Sequence, residues 1–395
     1  MKQQLFYAVL LVLLTNGCRI HGEQTEKKLP QIDLNKEYPV KEIWLQDVAE
    51  VTYIPLETTD KMLFKGSVLD LSDEGIAGMN RKEGQFFLFD GEGKAKGVID
   101  RKGGGPEEYA DVVQAAVDWK QGEFYVLDPK SRVCVYALDG TFKRILETKN
   151  IIRDRDLCLY GDHSLMLFKE IPEGGNAEKL APYRPLVVLS KADGKLDSLS
   201  YIKSHNAFVT ATLGEMKGYN FVPALRSYDG ETYLNDVASD TIFRINPTNA
   251  RLEPFFTRIP SVRDEQGAKN LLIVEGIAAP YLFLKRQVAR VDLEKQTEKK
   301  ENRYLVYNLQ TGETFQPVFK NKDFSSQELR NRNFEHCSGS KGNHFQLDAF
   351  QLKEALEKGE LTGELKKIAA RIAEDDNPVL MTIDFKKASL SAKPK

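Results

Sequence analysis

The sequence predicts an all-β fold with a small helical insertion near the C-terminus, and two observations carry that reading. Short runs rich in β-branched and aromatic residues recur from Val51 onward, separated by Gly, Asp, Asn and Pro, as antiparallel hairpins do when they follow one another. One strand-turn-strand unit also returns later in the chain, so the hairpins form a repeat and not a sandwich of unrelated strands. The 395 residues are 41% hydrophobic and 29% charged with net charge −2. That balance is globular, and it lacks the basic excess needed to neutralise a phosphate backbone, which argues against a nucleic-acid partner.

The chain starts with an address. Lys2 precedes the apolar run Leu5 to Leu14, followed by Thr15-Asn16-Gly17-Cys18. A basic start, a short apolar segment and a small residue before a cut are the parts of an export signal, and the run falls well short of the roughly 20 residues a membrane span needs. Cys18 directly after Gly17 resembles a bacterial lipobox, although Thr15 stands where such signals favour Leu. That resemblance implies an acylated Cys18; a plain signal peptide cut near His21 is the other reading. The expected organisation is a signal peptide over 1–17, a tether over 18–40, in which Arg19 to Leu29 is polar, and a folded body over 41–395. Cys134 and Cys158 lie in β-like runs and read as small buried hydrophobes, with a bridge between them as the lesser alternative.

In the body, the strands expected in order include Val51–Leu56, Phe86–Phe89, Phe124–Leu127, Arg132–Tyr136, Leu165–Phe168, Leu186–Leu189, Tyr281–Leu284 and Tyr304–Tyr307. The repeated unit is Tyr125 to Tyr136 set against Tyr233 to Arg244. Each has a strand, an aspartate (Asp128 or Asp236), a short connection, a polar residue and a second strand. An aspartate at a strand exit accepts backbone N–H bonds within its turn, which explains its place physically. Strand pairs repeated in this way suggest propeller blades.

The pattern Asp128 … Arg132-Val-x-Val-Tyr136 followed by Asp139-Gly140 resembles an NHL-type blade. Three more stretches, Val51–Thr59, Arg101–Tyr109 and Asp376–Leu380, resemble the six-bladed β-propeller lipoproteins of Bacteroides-type bacteria. The resemblance spans about residues 41–386 and implies a six-bladed propeller in the cell envelope, with no reaction and no catalytic residues to carry over. Blades are expected near 64–100, 109–147, 155–201, 206–258, 268–319 and 330–386, with Val51–Leu56 closing the ring beside Val379–Phe385. In this family an acidic run after the cysteine resembles a surface-export tag. No acid precedes Glu23, which implies a lipid-anchored protein on the periplasmic side of the outer membrane.

The helical insertion is placed at about 347–374. Leu361, Leu365, Ile368 and Ile372 share one helical face, Thr362 is the expected N-cap, and Asn377-Pro378 ends the helix.

For chemistry, the most distinctive segment is the loop Arg101-Lys102-Gly-Gly-Gly-Pro-Glu107-Glu108-Tyr109. Its glycines allow positive φ and close approach, Arg101 offers bidentate hydrogen bonds, Lys102 a second cation, Glu107 and Glu108 carboxylates, and Tyr109 a flat ring for stacking. The competing reading is a crossover between blades with Arg101 paired to Glu107 or Glu108. Asp118, His163, Asn235 and Asp236 are weighed as calcium ligands at a propeller rim, and His336, Cys337 and His344 as a zinc trio, but neither set has the spacing of its metal, so no metal and no cofactor are expected. No nucleophile motif is legible. The function expected is a monomeric, non-catalytic envelope lipoprotein that binds a glycan or a protein partner. The alternative is a metal-dependent hydrolase or lyase with its site at the central channel.

Overall fold

The computed structural model describes residues 29–148, 154–169, 186–198, 209–213, 216–219, 224–228, 230–236, 239–262, 269–278, 280–292, 297–329, 335–336, 339, 341 and 343–385. Six antiparallel sheets form the blades of a β-propeller. Blade 1 runs from strand Ser67–Leu71 to strand Ala95–Asp100, blade 2 from Gln114–Asp118 to Phe142–Glu147, and blade 3 from Asp154–Tyr160 to Leu196–Ser198. Blade 4 runs from Leu225–Tyr228 to Leu252–Ile259 and blade 5 from Lys269–Ala278 to Thr314–Asn321. Blade 6 combines Glu335–His336, Asn343–Leu347 and Val379–Phe385 with the early strand Ala49–Pro55. From blade 1 through blade 6, the first strand of one blade touches the first strand of the next, so these strands lie innermost and line a channel.

Alternation along the strands builds the cores between blades. Side chains of successive strand residues point to opposite faces. In the strand Gln85–Phe89, Phe86 and Leu88 pack with Phe124 and Tyr136 of blade 2. Phe87 and Phe89 pack the other way, with Ile54, Leu56 and Leu380 around blade 6. In blade 2, Phe124 and Val126 face blade 1 while Tyr125 and Leu127 join Leu157, Leu165 and Val187 of blade 3. A middle strand is thus buried on both faces, which is why its sequence reads as a continuous apolar run. Cys134 and Cys158 are buried free thiols on different blades, so the bridge between them is not formed.

The ring closes where expected. Val379–Phe385 pairs antiparallel with Ala49–Pro55, from Val379 opposite Pro55 to Phe385 opposite Ala49. Asn377 locks the joint. Its Oδ1 accepts the Phe64 N–H at 2.7 Å, and its Nδ2 donates to the carbonyls of Glu57 at 2.8 Å and Met62 at 2.6 Å. Two of the family-like stretches, Val51–Thr59 and Asp376–Leu380, therefore face each other across the closure.

Three boundaries differ from expectation. The tether ends well before residue 40, because Gln31–Asp33 adds a parallel strand to the outer edge of blade 4 and Val40–Trp44 does the same for blade 5. The N-terminal segment thus covers two blade edges before closing the third, and so shields strand edges that would otherwise be open. Blade 4 begins at Leu225, not near 206; Val209–Leu213 and Met216–Tyr219 form a separate hairpin. The helical island is the expected pair, Ala349–Glu357 and Gly363–Arg371, but the second helix begins after Leu361, which lies in the turn between them. Leu352, Leu361, Leu365 and Ile368 pack with Phe319, Phe324 and Phe345, as the apolar stripe requires. Thr362 holds the N-cap position, but its hydroxyl donates to the Lys322 carbonyl; the first helix is capped by Asp348, whose carboxylate accepts from the Phe350 and Gln351 amides. Cys18 and Cys337 lie outside the described residues.

Replacing Asn377 by Ala should leave the Phe64 amide and two carbonyls buried without partners and lower stability by about 2–3 kcal/mol. Urea denaturation of the two proteins checks this. Deleting residues 379–395 should abolish the cooperative transition altogether; a truncated chain with an unchanged melting temperature would show that closure is dispensable.

Candidate functional site

The loop Arg101–Tyr109 is built into the joint between blades 1 and 2. Tyr109 is 0% exposed. Its ring sits edge-on to Phe86 and Tyr136, with centroids 6.0 and 5.9 Å away. Its hydroxyl donates to the Gly84 carbonyl at 2.6 Å. A ring enclosed in this way has no face to stack on a ligand, and the expectation for Tyr109 is corrected accordingly. Arg101 does not pair with either glutamate: its Nε donates to the Gly140 carbonyl at 3.1 Å. Lys102 pairs with Asp111 at 2.9 Å, and the Glu108 carboxylate accepts the Gly105 N–H at 2.7 Å.

The backbone carbonyls of Glu107 and Glu108 accept from Tyr136 Oη and Arg132 Nη2, both at 2.8 Å. None of Gly103, Gly104 and Gly105 has positive φ. The Glu108 carboxylate lies close over Gly103, where a Cβ would come within 2.0 Å of it unless that flexible side chain moved, whereas Gly104 has open space around it. Asp128 does the turn work expected of it. It accepts from the Lys130 and Ala110 amides and from Arg132, and so anchors the same loop. Arg101, Lys102 and Glu107 remain solvent-exposed at the rim.

A larger concave feature lies elsewhere among the described residues. A cavity of about 420 Å³ opens where the first strands of blades 1 to 4 end. Asp70, Ser72 and Glu74 of blade 1, Asp118, Trp119 and Lys120 of blade 2, and Tyr160 of blade 3 stand around it, above a floor of Leu69, Ala115 and Leu157. Trp119 is half-buried and is fixed at its polar end, because Nε1 donates to Asp70 Oδ1 at 2.7 Å. Gly75 leaves room for its other end, since a Cβ there would come within 2.7 Å of the indole. Tyr160 Oη donates to the Asn246 carbonyl at 2.6 Å. The mouth therefore presents two oriented aromatic rings together with the exposed carboxylate of Glu74.

Asp118 is neutralised. Lys191 Nζ reaches its Oδ2 at 2.7 Å, with the two side chains only 4% and 9% exposed. Asp70 has no such cation. Burial pushes its carboxyl up to about 6, Glu74 adds to the rise, and the Trp119 N–H offsets only part of it.

The metal candidates behave as structural residues. With Asp118 held by Lys191, Asn235 spends its amide on Leu272 and Val274 of blade 5. His344 is fully buried in a strand of blade 6. Among the described residues no group of three or more His, Cys, Asp or Glu side chains could hold a metal ion.

Comparison with known proteins fits this architecture. A family model described as "Domain of unknown function (DUF4934)" matches residues 29–384, from the parallel edge strand of blade 4 to the closing strand. The chain belongs to the DUF4934 family. Its matched span takes in all six blades. A solved Bacteroides fragilis protein whose name marks it as an export candidate is 15% identical, with a TM-score of 0.63 over 91% of this chain and 99% of its own. A DUF4221 family member from Bacteroides vulgatus is 10% identical, with a TM-score of 0.51 over 87% of this chain and 100% of its own. At these identities the likeness is one of fold. No curated protein matches the chain. Among the described residues no helix is long and apolar enough to cross a membrane.

Trp119, Tyr160 and Glu74 were not singled out by sequence, although a signal existed. Trp119 is one of only two tryptophans and directly follows a blade's first strand, as Tyr160 ends one. Comparing first-strand exits across the blades would have gathered them.

Asp70 yields a signed pH prediction. Its folded value near 6 exceeds the ordinary aspartate value of 3.8, so the folded state binds the proton more tightly and this group's contribution to stability falls as pH rises from about 4 to 6. Asp70→Asn keeps an oxygen acceptor for the indole. It should melt higher than the parent at pH 7.5, with the gap closing toward pH 4. Trp119 fluorescence should titrate near pH 6 in the parent and stay flat in the variant.

Proposed function

We propose that the protein is an exported, lipid-anchored binding propeller that seats a saccharide in the wide mouth of its channel. The observation that carries the reading is the fixed indole of Trp119 beside Tyr160 and the Glu74 carboxylate, on the wall of a cavity of about 420 Å³. That volume falls in the range of small-ligand sites, roughly 300–1,000 Å³. A sugar ring offers an apolar C–H face to an aromatic ring and hydroxyls to a carboxylate, so this combination recognises it without needing a reaction. Asp70 orients the indole and Lys191 neutralises Asp118, which leaves Glu74 as the acceptor for ligand hydroxyls.

Export is supported by the Leu5–Leu14 run after Lys2, and anchoring by Cys18 after Gly17. Acyl chains on Cys18 would hold the propeller at a membrane surface at about 0.8 kcal/mol per buried methylene.

Two measurements test the proposal. Titration with soluble fragments of envelope polysaccharides should find a saccharide whose binding weakens by about 2 kcal/mol in Trp119→Ala. Equal binding by parent and variant would remove the channel mouth from the account. In fractionated cells, Cys18→Ala should move the protein from membrane to soluble fraction; continued membrane association would argue against the anchor.

A further inference from the structure

The channel has a second end. Where the first strands of blades 1 to 4 begin, a smaller cavity of about 180 Å³ opens on the opposite side. Leu69, Ala115, Leu157, Cys158 and Ser227 line both cavities and form a mainly apolar neck between them. The chemistry of the two ends differs. The wide mouth carries Asp70 and Glu74, whereas the narrow mouth carries two guanidiniums, Arg81 from blade 1 and Arg226 from blade 4.

The narrow mouth also holds a carboxylate, Asp156, which is 1% exposed, and its oxygens are already engaged. Oδ2 accepts the Leu225 N–H at 2.7 Å, and Oδ1 accepts the Leu157 N–H at 3.0 Å and Gln114 Nε2 at 3.4 Å. Asp156 thus joins blades 2, 3 and 4 through neutral donors. Burial raises its pKa, while the nearby Arg226 charge and these hydrogen bonds act to lower it, so the recess sets one buried acid against two arginines. Arg81 is held in place: Nη1 donates to the carbonyls of Val112 at 3.1 Å and Val113 at 2.8 Å. Those acceptors are neutral, and the acid that feels its charge, Asp111, is already paired with Lys102. Among the described residues no carboxylate forms an ion pair with Arg81 or Arg226. Two fixed or half-buried cations facing one small concavity, with Gln114 as a further donor, make a receptor for negative charge.

We infer that the narrow mouth of the channel binds a small oxyanion, a phosphate or a carboxylate group, between Arg81 and Arg226. This site is separate from the saccharide seat and does not depend on it, because the apolar neck lies between them. Arg81 is exposed and Arg226 partly buried, and guanidinium planes match the paired oxygens of either group.

Calorimetric titration of the intact chain at low ionic strength, with inorganic phosphate in one arm and sodium glucuronate in the other, tests the inference and tells the two sources of the oxyanion apart. One or both should bind with one-to-one stoichiometry, and Arg226→Gln should weaken binding about tenfold. Arg81→Gln should weaken it too, with a melting curve recorded alongside because Arg81 also tethers Val112 and Val113. Trp119→Ala should leave anion affinity unchanged. If neither anion binds the parent, or if Arg226→Gln binds as the parent does, the site is not there. Loss of anion binding in Trp119→Ala would place the anion in the wide mouth and overturn the assignment, whatever becomes of the saccharide reading.

Discussion

Everything in this molecule depends on the pairing of Val379–Phe385 with Ala49–Pro55. A propeller blade cannot bury both of its faces alone; each face needs a neighbour, and the last blade needs the first. Without that pairing, Phe87 and Phe89 on one side and Ile54, Leu56 and Leu380 on the other would be solvated, and the core they share would vanish. Asn377 reinforces the joint through backbone groups of the segment leading into blade 1, so the closure is polar at its rim and apolar inside. The upstream strands at residues 31–33 and 40–44 extend the same device, covering the outer edges of blades 4 and 5 on the way to the closure.

A closed ring of six blades leaves a channel, because the innermost strands splay around an axis and cannot pack onto one another. The described lining is apolar at the neck and polar at both ends, and the polar groups are stabilised by different means. Asp118 is compensated by Lys191 in a buried pair, a geometry that ties blade 2 to blade 3 more than it adds net stability. Asp70 leans on an indole N–H, and Asp156 on backbone amides from two blades. Each solution fixes a side chain at the channel wall. The rings and guanidiniums that remain are therefore presented in set orientations, which lowers the ordering cost of binding.

The glycine-rich loop Arg101–Tyr109 shows how a composition that suits a ligand site can serve geometry instead. Cation, carboxylates and ring are all present in nine residues. Their partners are Gly140, Asp111, Gly105 and Gly84, so the loop's polar capacity goes largely into holding blade 2 against blade 1. Nothing in the segment itself distinguishes an exposed tyrosine from one whose neighbours Phe86 and Tyr136 come from two blades. The aspartates of the repeat were readable because an Asx turn is local: Asp128 bonds Lys130 two residues away. Thr362 shows the opposite. Its position in the chain was right, yet its hydroxyl is drawn to Lys322 by packing that the sequence does not display.

By itself the sequence determined the class of fold, the order of the blades, the closing strand, and the helical stripe of Leu365 and Ile368. Each rests on short-range periodicity or on turn chemistry, which acts between residues close in the chain. The tertiary structure alone decided that Tyr109 is enclosed, that residues 31–33 and 40–44 belong to blade edges, and that Asp70, Trp119 and Tyr160 meet at one mouth while Arg81 and Arg226 meet at the other. The physical reason is convergence. A channel mouth takes one or two residues from each of several blades, so its members are far apart in sequence, share no periodic pattern, and acquire a common environment only once the ring has closed.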